Sequence, residues 1–336
     1  MDSIALVMAA GEGQRMRSDL PKVLHPLCGK PMLCHVIETV GGICREVIPI
    51  LGHGREIILS KLGNIRHAVQ DFSTGKGTGH AVMCAADALR GRKGSVIVTA
   101  GDMPLVTDVS YRALYSLVGD GAAAALLYDV LDEPFGYGRV LLDRRGRVQG
   151  IVEQKDLTEQ QKGIRACNAS VYCFDIDALL WALPRITNGN AANEYYLTDA
   201  IGALAGAGYV VSSIQAQDHD ECRGVNTRVQ LEQAARVMRA RINCEHMLAG
   251  VTMIDPNATY IDADVRVGYD TTIYPGVVLE GSTQIGPRCV LYPGCHLKDT
   301  TVGADASLHC AYADGARVPD GANIAPFTVI TGESAE

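Results

Sequence analysis

With 336 residues, 20% of them charged, and a formal net charge of -8, the chain exceeds the usual single-domain size and carries no basic field, which excludes nucleic acid and anionic lipid as expected partners. The apolar run at 4–10 is too short to span a membrane and lacks the basic start of an export signal. Eleven cysteines, scattered, odd in number and without a C-x-x-C pair, fit reduced thiols in a cytoplasmic protein with no membrane partner.

From residue 4 to about 215, short apolar runs alternate with helical spacing, the pattern of an α/β layer fold with a mostly parallel sheet. Strands are expected over 4–8, 46–51, 95–99 and 122–128, and helices over 32–40, 78–89, 109–117 and 196–207. Runs at 138–142, 148–153 and 170–174 follow one another closely and predict an antiparallel addition to the sheet. A helix rich in Gln, Ala, Arg and Glu then runs from Arg228 to about Leu248 and reads as a connector.

Beyond it the period changes. Ile261, Val267, Ile273, Leu279, Ile285, Leu291 and Leu297 recur every six residues, followed after a slip by Val302, Leu308, Val318, Ile324 and Ile330. Such a repeat, with Gly and Pro in the turns, specifies a short left-handed parallel β-helix of hexapeptide repeats, in about four coils. Cys289 and Cys295 keep the interval of that repeat, so they are read as part of it and not as metal ligands. The expected organisation is therefore 1–227 for the α/β domain, 228–250 for the linking helix and 251–330 for the β-helix.

The first strand runs into Ala9-Ala10-Gly11-Glu12-Gly13-Gln14-Arg15-Met16, with Leu20-Pro21-Lys22 beyond. Small residues at a strand end let backbone N–H groups approach an anion, and Arg15 and Lys22 supply the cations that polyphosphate requires. A dinucleotide fingerprint would need Gly at position 16, which is Met16, and a P-loop ending in Gly75-Lys76-Gly77-Thr78 would need Gly at Gln70. Thr99-Ala100-Gly101-Asp102 closes an apolar strand with a carboxylate, which suits either an oxygen ligand for Mg²⁺ or a helix N-cap.

These segments resemble the sugar-nucleotide pyrophosphorylases, and most closely the bifunctional N-acetylglucosamine-1-phosphate uridylyltransferase/glucosamine-1-phosphate acetyltransferase family. The likeness is carried by 9–16 and 20–24, Gly29-Lys30-Pro31-Met32, Gly77-Thr78-Gly79-His80-Ala81, Gly101-Asp102-Met103-Pro104-Leu105 and Gly136-Tyr137-Gly138-Arg139. It continues through Ile151-Val152-Glu153-Gln154-Lys155-Asp156, Glu194-Tyr195-Tyr196-Leu197-Thr198-Asp199 and Gly224-Val225-Asn226-Thr227-Arg228.

The resemblance implies an α/β nucleotidyltransferase that joins UTP to a sugar 1-phosphate, expected to be N-acetylglucosamine 1-phosphate. It makes Asp102 and Asn226 the protein ligands of Mg²⁺, Lys22 and Arg15 the cations at the phosphates, and Ala9, Ala10, Gly11, Gln70, Gly77, Thr78 and Gly101 the nucleotide site. Gly138, Glu153, Asn168 and Asn226 would hold the sugar. His25 and His80 are read as structural, because the chemistry needs no imidazole base. Three departures, Ala100 in place of Tyr, Ala169-Ser170 in place of Thr-Gly, and Gln14 in place of Thr or Ser, leave open another hexose 1-phosphate or dTTP. The acetyltransferase half resembles the family's linker and first coils only, so acetyl transfer is expected to be lost. The coils imply a homotrimer, and an inactive trimeric scaffold is the alternative from outside enzymology.

Overall fold

The computed structural model describes residues 2–332. They form two compact units, residues 2–25 with 31–230, and residues 26–30 with 231–332.

The first unit is built on a nine-stranded sheet. Its strands are β1 (Asp2–Ala9), β2 (Glu46–Leu51), β3 (Ala68–Val69), β4 (Gly94–Ala100), β5 (Ala124–Val130), β6 (Arg139–Leu142), β7 (Val148–Val152), β8 (Ala166–Asp175) and β9 (Val211–Gln215). Their order is β9-β5-β8-β4-β1-β2-β3, with β6 and β7 a hairpin joined at β8. β1 pairs in parallel with β2 and β4, whereas β8 runs antiparallel to β4 and β5. Successive residues of β1 pack on opposite faces: Ile4 and Leu6 belong to one apolar cluster, Ala5 and Val7 to another. A strand buried on both faces has no polar side to show, which is why 4–8 reads as an unbroken apolar run.

The helices are α1 (Met32–Gly41), α2 (Arg55–Leu62), α3 (Thr78–Cys84), α4 (Asp108–Gly119), α5 (Ile176–Ala182), α6 (Thr198–Gly206) and α7 (Arg228–Leu248). Two expected helices are shorter than their spacing suggests. The helix over 78–89 ends at Cys84 because the backbone tightens: Ala85 N donates to Val82 O at 3.0 Å, and a 3-10 turn follows at Ala86–Ala88. The helix over 196–207 starts at Thr198 because the preceding backbone is engaged elsewhere. Tyr195 O accepts from Gly79 N at 2.8 Å, and Leu197 N donates to Thr78 Oγ1 at 3.0 Å. Strand β8 starts at Ala166, four residues before its expected start, and carries a register shift between Asn168 and Tyr172. Strand β9 and helices α2 and α5 were not anticipated.

The second unit stacks two- and three-residue strands into three parallel sheets, a parallel β-helix. Ile261, Leu279, Leu297, Ala313 and Ile330 line one sheet, and Val267, Ile285, Val302 and Val318 another. Met253, Ile273, Leu291, Leu308 and Ile324 line the third. Ala313 fills the rung between Leu308 and Val318, where the six-residue series has a gap. Cys289 and Cys295 are fully buried in this core, with thiols 3.1 Å from Gly303 O and 3.3 Å from Leu308 O. Among the described residues no group of three or more His, Cys, Asp or Glu is placed to hold a metal, and no helix is long and apolar enough to cross a membrane.

Residues 26–30 belong with the coils. Ala263 N donates to Cys28 O at 3.0 Å, and Lys30 Nζ lies 2.7 Å from Asp264 Oδ1. Gly29 has φ +85° and no room for a side chain: a Cβ there would sit 2.5 Å from Asp262 Cγ.

Candidate active site

Strand order places the site. The chain leaves β1 towards β2 and β3 on one side, then crosses to β4 on the other, so a crevice opens past the C-terminal ends of β1 and β4. The pairing of Met8 with Ala100 sets the two strand ends level, and Gly101 N donates to Met8 O at 2.9 Å. Past β1, Ala10 O accepts from His53 N at 3.1 Å. Beyond it, Gly11 faces open space: a Cβ there would meet nothing within 4 Å.

The loop then folds back. Gly13 takes a left-handed conformation, φ +66°, and a Cβ on it would fall 2.5 Å from Lys22 Cβ. Glycine at this position is what admits Lys22. Lys22 Nζ pairs with Asp102 Oδ2 and lies 3.0 Å from Asn226 Oδ1; the Lys22 and Asp102 side chains are each 15% exposed. Three residues from distant parts of the chain therefore converge on one point. Two of the segments are joined by backbone as well, since Val225 N donates to Asp102 O at 2.9 Å, and Asn226 N is held locally by Gln230 Oε1 at 2.9 Å. Arg15 is on the same loop but exposed, with no hydrogen bond or ion pair among the described residues.

Two buried carboxylates, not singled out by sequence, anchor the segment that leads to Asn226. Glu221 accepts from Thr107 Oγ1 at 2.7 Å and from Ser110 Oγ at the start of α4. Asp129, fully buried, accepts from Val130 N at 2.7 Å and pairs with His219 Nδ1 at 2.8 Å. The Asp129 carboxylate raises the pKa of His219 by hydrogen bond and charge.

On the nucleotide side, Gln70 is buried and its Nε2 donates to Gly77 O at 3.2 Å while lying 3.3 Å from His80 Nδ1. Gln70, Gly77 and Thr78 are thus brought together. Gly77 has φ +101° and abuts Tyr195 O, which a Cβ would approach to 2.4 Å.

On the sugar side, Asn168 N donates to Gly138 O at 2.9 Å, and a Cβ on Gly138 would stand 3.4 Å from Glu153 Oε2 and 3.6 Å from Asn168 Cβ. Gly138, Glu153 and Asn168 therefore line one place. Asn226 has no hydrogen bond to them among the described residues; it sits with Lys22 and Asp102. Asn168 Nδ2 donates to Tyr172 Oη at 2.7 Å and its Oδ1 accepts from Ser170 N at 3.3 Å, so each end of the carboxamide keeps one further hydrogen-bonding site. Burial raises the pKa of Glu153, and the Asp199, Asp156 and Glu194 carboxylates add to it against a hydrogen bond from Thr198 Oγ1 at 3.0 Å. Two of the three departures meet here, while Gln14 lies on the loop after β1. Val171 pairs with Thr99, so the shifted stretch of β8 containing Ala169 and Ser170 runs beside Ala100, with Ser170 at φ +56°.

The Glu194–Asp199 segment has a structural role that its motif does not reveal. It ties the two sides together: Tyr195 and Leu197 bond the 76–79 loop, and Thr198 holds Glu153. His25 and His80 are buried. His80 Nε2 lies 3.0 Å from Thr74 Oγ1, and His25 Nδ1 3.2 Å from Arg228 Nη1. Burial, then the Arg228 charge, lowers the pKa of His25 and keeps it neutral.

Residues 5–164 match the model of the MobA-like NTP transferase domain. The bifunctional protein GlmU of Geobacillus thermodenitrificans is 43% identical over 329 residues, 97% of this chain and 71% of that protein. GlmU of Clostridium acetobutylicum is 42% identical over 338 residues, 99% of this chain and 74% of that one. Among solved structures, a UDP-glucose pyrophosphorylase complexed with UDP-glucose shares the fold with a TM-score of 0.59 at 18% identity, over 72% of this chain and 100% of the other. At such identity over nearly its whole length, the chain belongs to the GlmU family and is a nucleotidyltransferase.

Proposed function

We propose that the chain transfers the uridylyl group of UTP to N-acetylglucosamine 1-phosphate, giving UDP-N-acetylglucosamine and pyrophosphate. The observation that carries this reading is the convergence of Lys22, Asp102 and Asn226 at the ends of two adjacent parallel strands, beside a loop whose backbone is open at Gly11. A phosphate oxygen of the sugar attacks the α-phosphorus of UTP in line, the bond to the β-phosphate oxygen breaks, and pyrophosphate leaves with the electron pair. No protein nucleophile is required, so catalysis falls to positioning and charge neutralisation.

Asp102 and Asn226 fit a hard divalent cation, since both offer oxygen and both already face a single cation. Mg²⁺ held there would supply charge neutralisation at the triphosphate. Lys22 takes the reacting phosphates and Arg15 the leaving pyrophosphate. The backbone at Ala9, Ala10, Gly11 and Gly101, with Gln70, Gly77 and Thr78, receives the nucleotide. The Gly138 amide, the Glu153 carboxylate and the Asn168 carboxamide receive the sugar hydroxyl and N-acetyl groups. Residues 1–227 form the catalytic domain, 228–250 the connecting helix and 251–330 the coils, which we assign to assembly as a homotrimer. Acetyl transfer is assigned to none of these residues.

Pyrophosphate release across a panel of nucleoside triphosphates and sugar 1-phosphates, with and without Mg²⁺, tests this reading. UTP with N-acetylglucosamine 1-phosphate should be the best pair. The shifted strand at Ala169-Ser170 beside Ala100 favours a second reading in which the sugar pocket takes another hexose 1-phosphate; a best pair of that kind would select it, and a best pair with dTTP would replace UTP as the nucleotide. No turnover with any pair would leave an inactive scaffold.

A further inference from the structure

Lys22 Nζ contacts both oxygens assigned to the metal, Asp102 Oδ2 and Asn226 Oδ1. An ammonium group has three donors and no acceptor, so in this position it satisfies the same lone pairs that a divalent cation would take. The contact is built in by the surrounding chain. Glycine at position 13 leaves the space that Lys22 Cβ occupies, and the Val225 N to Asp102 O bond holds the two oxygen-bearing segments together independently of any ion. Asp102 has one negative charge, which Lys22 neutralises. A divalent cation entering beside the ammonium would meet a second positive charge at close range.

We propose that Lys22 and the divalent cation compete for Asp102 Oδ2 and Asn226 Oδ1, so that the enzyme resists the cation alone and admits it when a triphosphate draws Lys22 away. The proposal rests on the metal reading given above. Phosphate oxygens form stronger, charge-assisted bonds with an ammonium than a carboxamide does. Transfer of Lys22 to the triphosphate leaves the two oxygens to the metal, and metal and triphosphate then favour each other's binding reciprocally. Loading is thereby ordered without a moving domain, and the same lysine that guards the metal site becomes the cation at the reacting phosphates.

The test uses the full chain and Mn²⁺ alone, without nucleotide, read by the electron paramagnetic resonance signal of free Mn²⁺. Lys22→Met keeps an unbranched apolar stem, one atom shorter, and removes the charge; it should bind Mn²⁺ about tenfold more tightly than the parent. Arg15→Met removes the same charge from the same loop without touching the two oxygens, and should change binding by less than about twofold. Asp102→Asn introduced into Lys22→Met should cancel the gain. Thermal melting establishes that each variant is folded. If Lys22→Met binds Mn²⁺ no better than the parent while Asp102→Asn in the parent weakens binding, the metal ligand stands and the competition is overturned. Equal tightening by Arg15→Met also overturns it, since the effect would then be one of general field. If Asp102→Asn alters Mn²⁺ binding in neither background, the metal reading fails and takes the competition with it.

Discussion

In the coils, Thr259, Thr271, Thr283 and Thr300 are fully buried, and each hydroxyl donates to a nearby carbonyl, as from Thr271 to Gly286 O at 2.9 Å. At the ends of β1 and β4 the polar groups do something else. Lys22, Asp102 and Asn226 come from three separate segments, remain partly open to solvent, and satisfy one another only through the fold. The coils therefore consume their polarity locally, coil by coil, whereas the α/β unit concentrates it at one place. Stability and chemistry should accordingly respond to different substitutions.

The largest effect expected is on the coils. Leu297→Ala opens a cavity between Leu279 and Ala313 and should cost about 2–5 kcal/mol of that unit's stability. Pyrophosphate release measured below its melting temperature should stay within about twofold of the parent, because no assigned catalytic residue is in the coils. A large loss of rate with the coils still folded would break the division between the two regions.

Lys22→Ala inverts the pattern. It should slow pyrophosphate release by about 10²–10³-fold, equivalent to roughly 2.7–4 kcal/mol of barrier, with little change in calorimetric melting. Near-parental rates would remove Lys22 from the phosphate site.

Ser170 sharpens the contrast at smaller scale, because it holds a left-handed conformation that glycine adopts without strain. Ser170→Gly should raise stability by about 0.5–1 kcal/mol, measured by denaturant unfolding. A loss of stability would show that the hydroxyl contributes more than the strain costs.

The smallest effect concerns pH. Asp129 raises the His219 pKa, so the pair's contribution is fully present below the ordinary imidazole value and is lost as pH rises through the elevated one. His219→Gln should therefore narrow the stability difference between mildly acidic and alkaline solution. An unchanged stability profile against pH would contradict this.

The fold was legible where the chain repeats itself. The six-residue interval revealed the coils because each rung places an apolar side chain on the one below. It missed Ala313 because a small residue gives a weak apolar signal, although the rung pairs normally with Leu297. Strand β9 was missed because Ser212 and Ser213 interrupt its apolar character at the sheet edge. The start of α6 was displaced by a hydrogen bond from Leu197 to Thr78, 119 residues away in sequence. At the candidate site, Lys22 and Asp102 are legible as a cation and a carboxylate just past strand ends, Asn226 only through motif resemblance, and their convergence could not be read from spacing. Glu221, His219 and Thr198 were not found as supports, since what identifies each is a partner far along the chain: Thr107, Asp129 and Glu153 respectively.

The claim that strand-end residues from separate segments act as one unit is tested most directly by a double-mutant cycle. Pyrophosphate release from UTP and N-acetylglucosamine 1-phosphate would be measured at saturating Mg²⁺ for Asp102→Ala, Asn226→Ala and the double variant, all in the full chain. If both residues serve one cation, the double variant should be no more than about twofold slower than the slower single variant. Losses that multiply, or single variants that turn over at near-parental rates, would contradict the account.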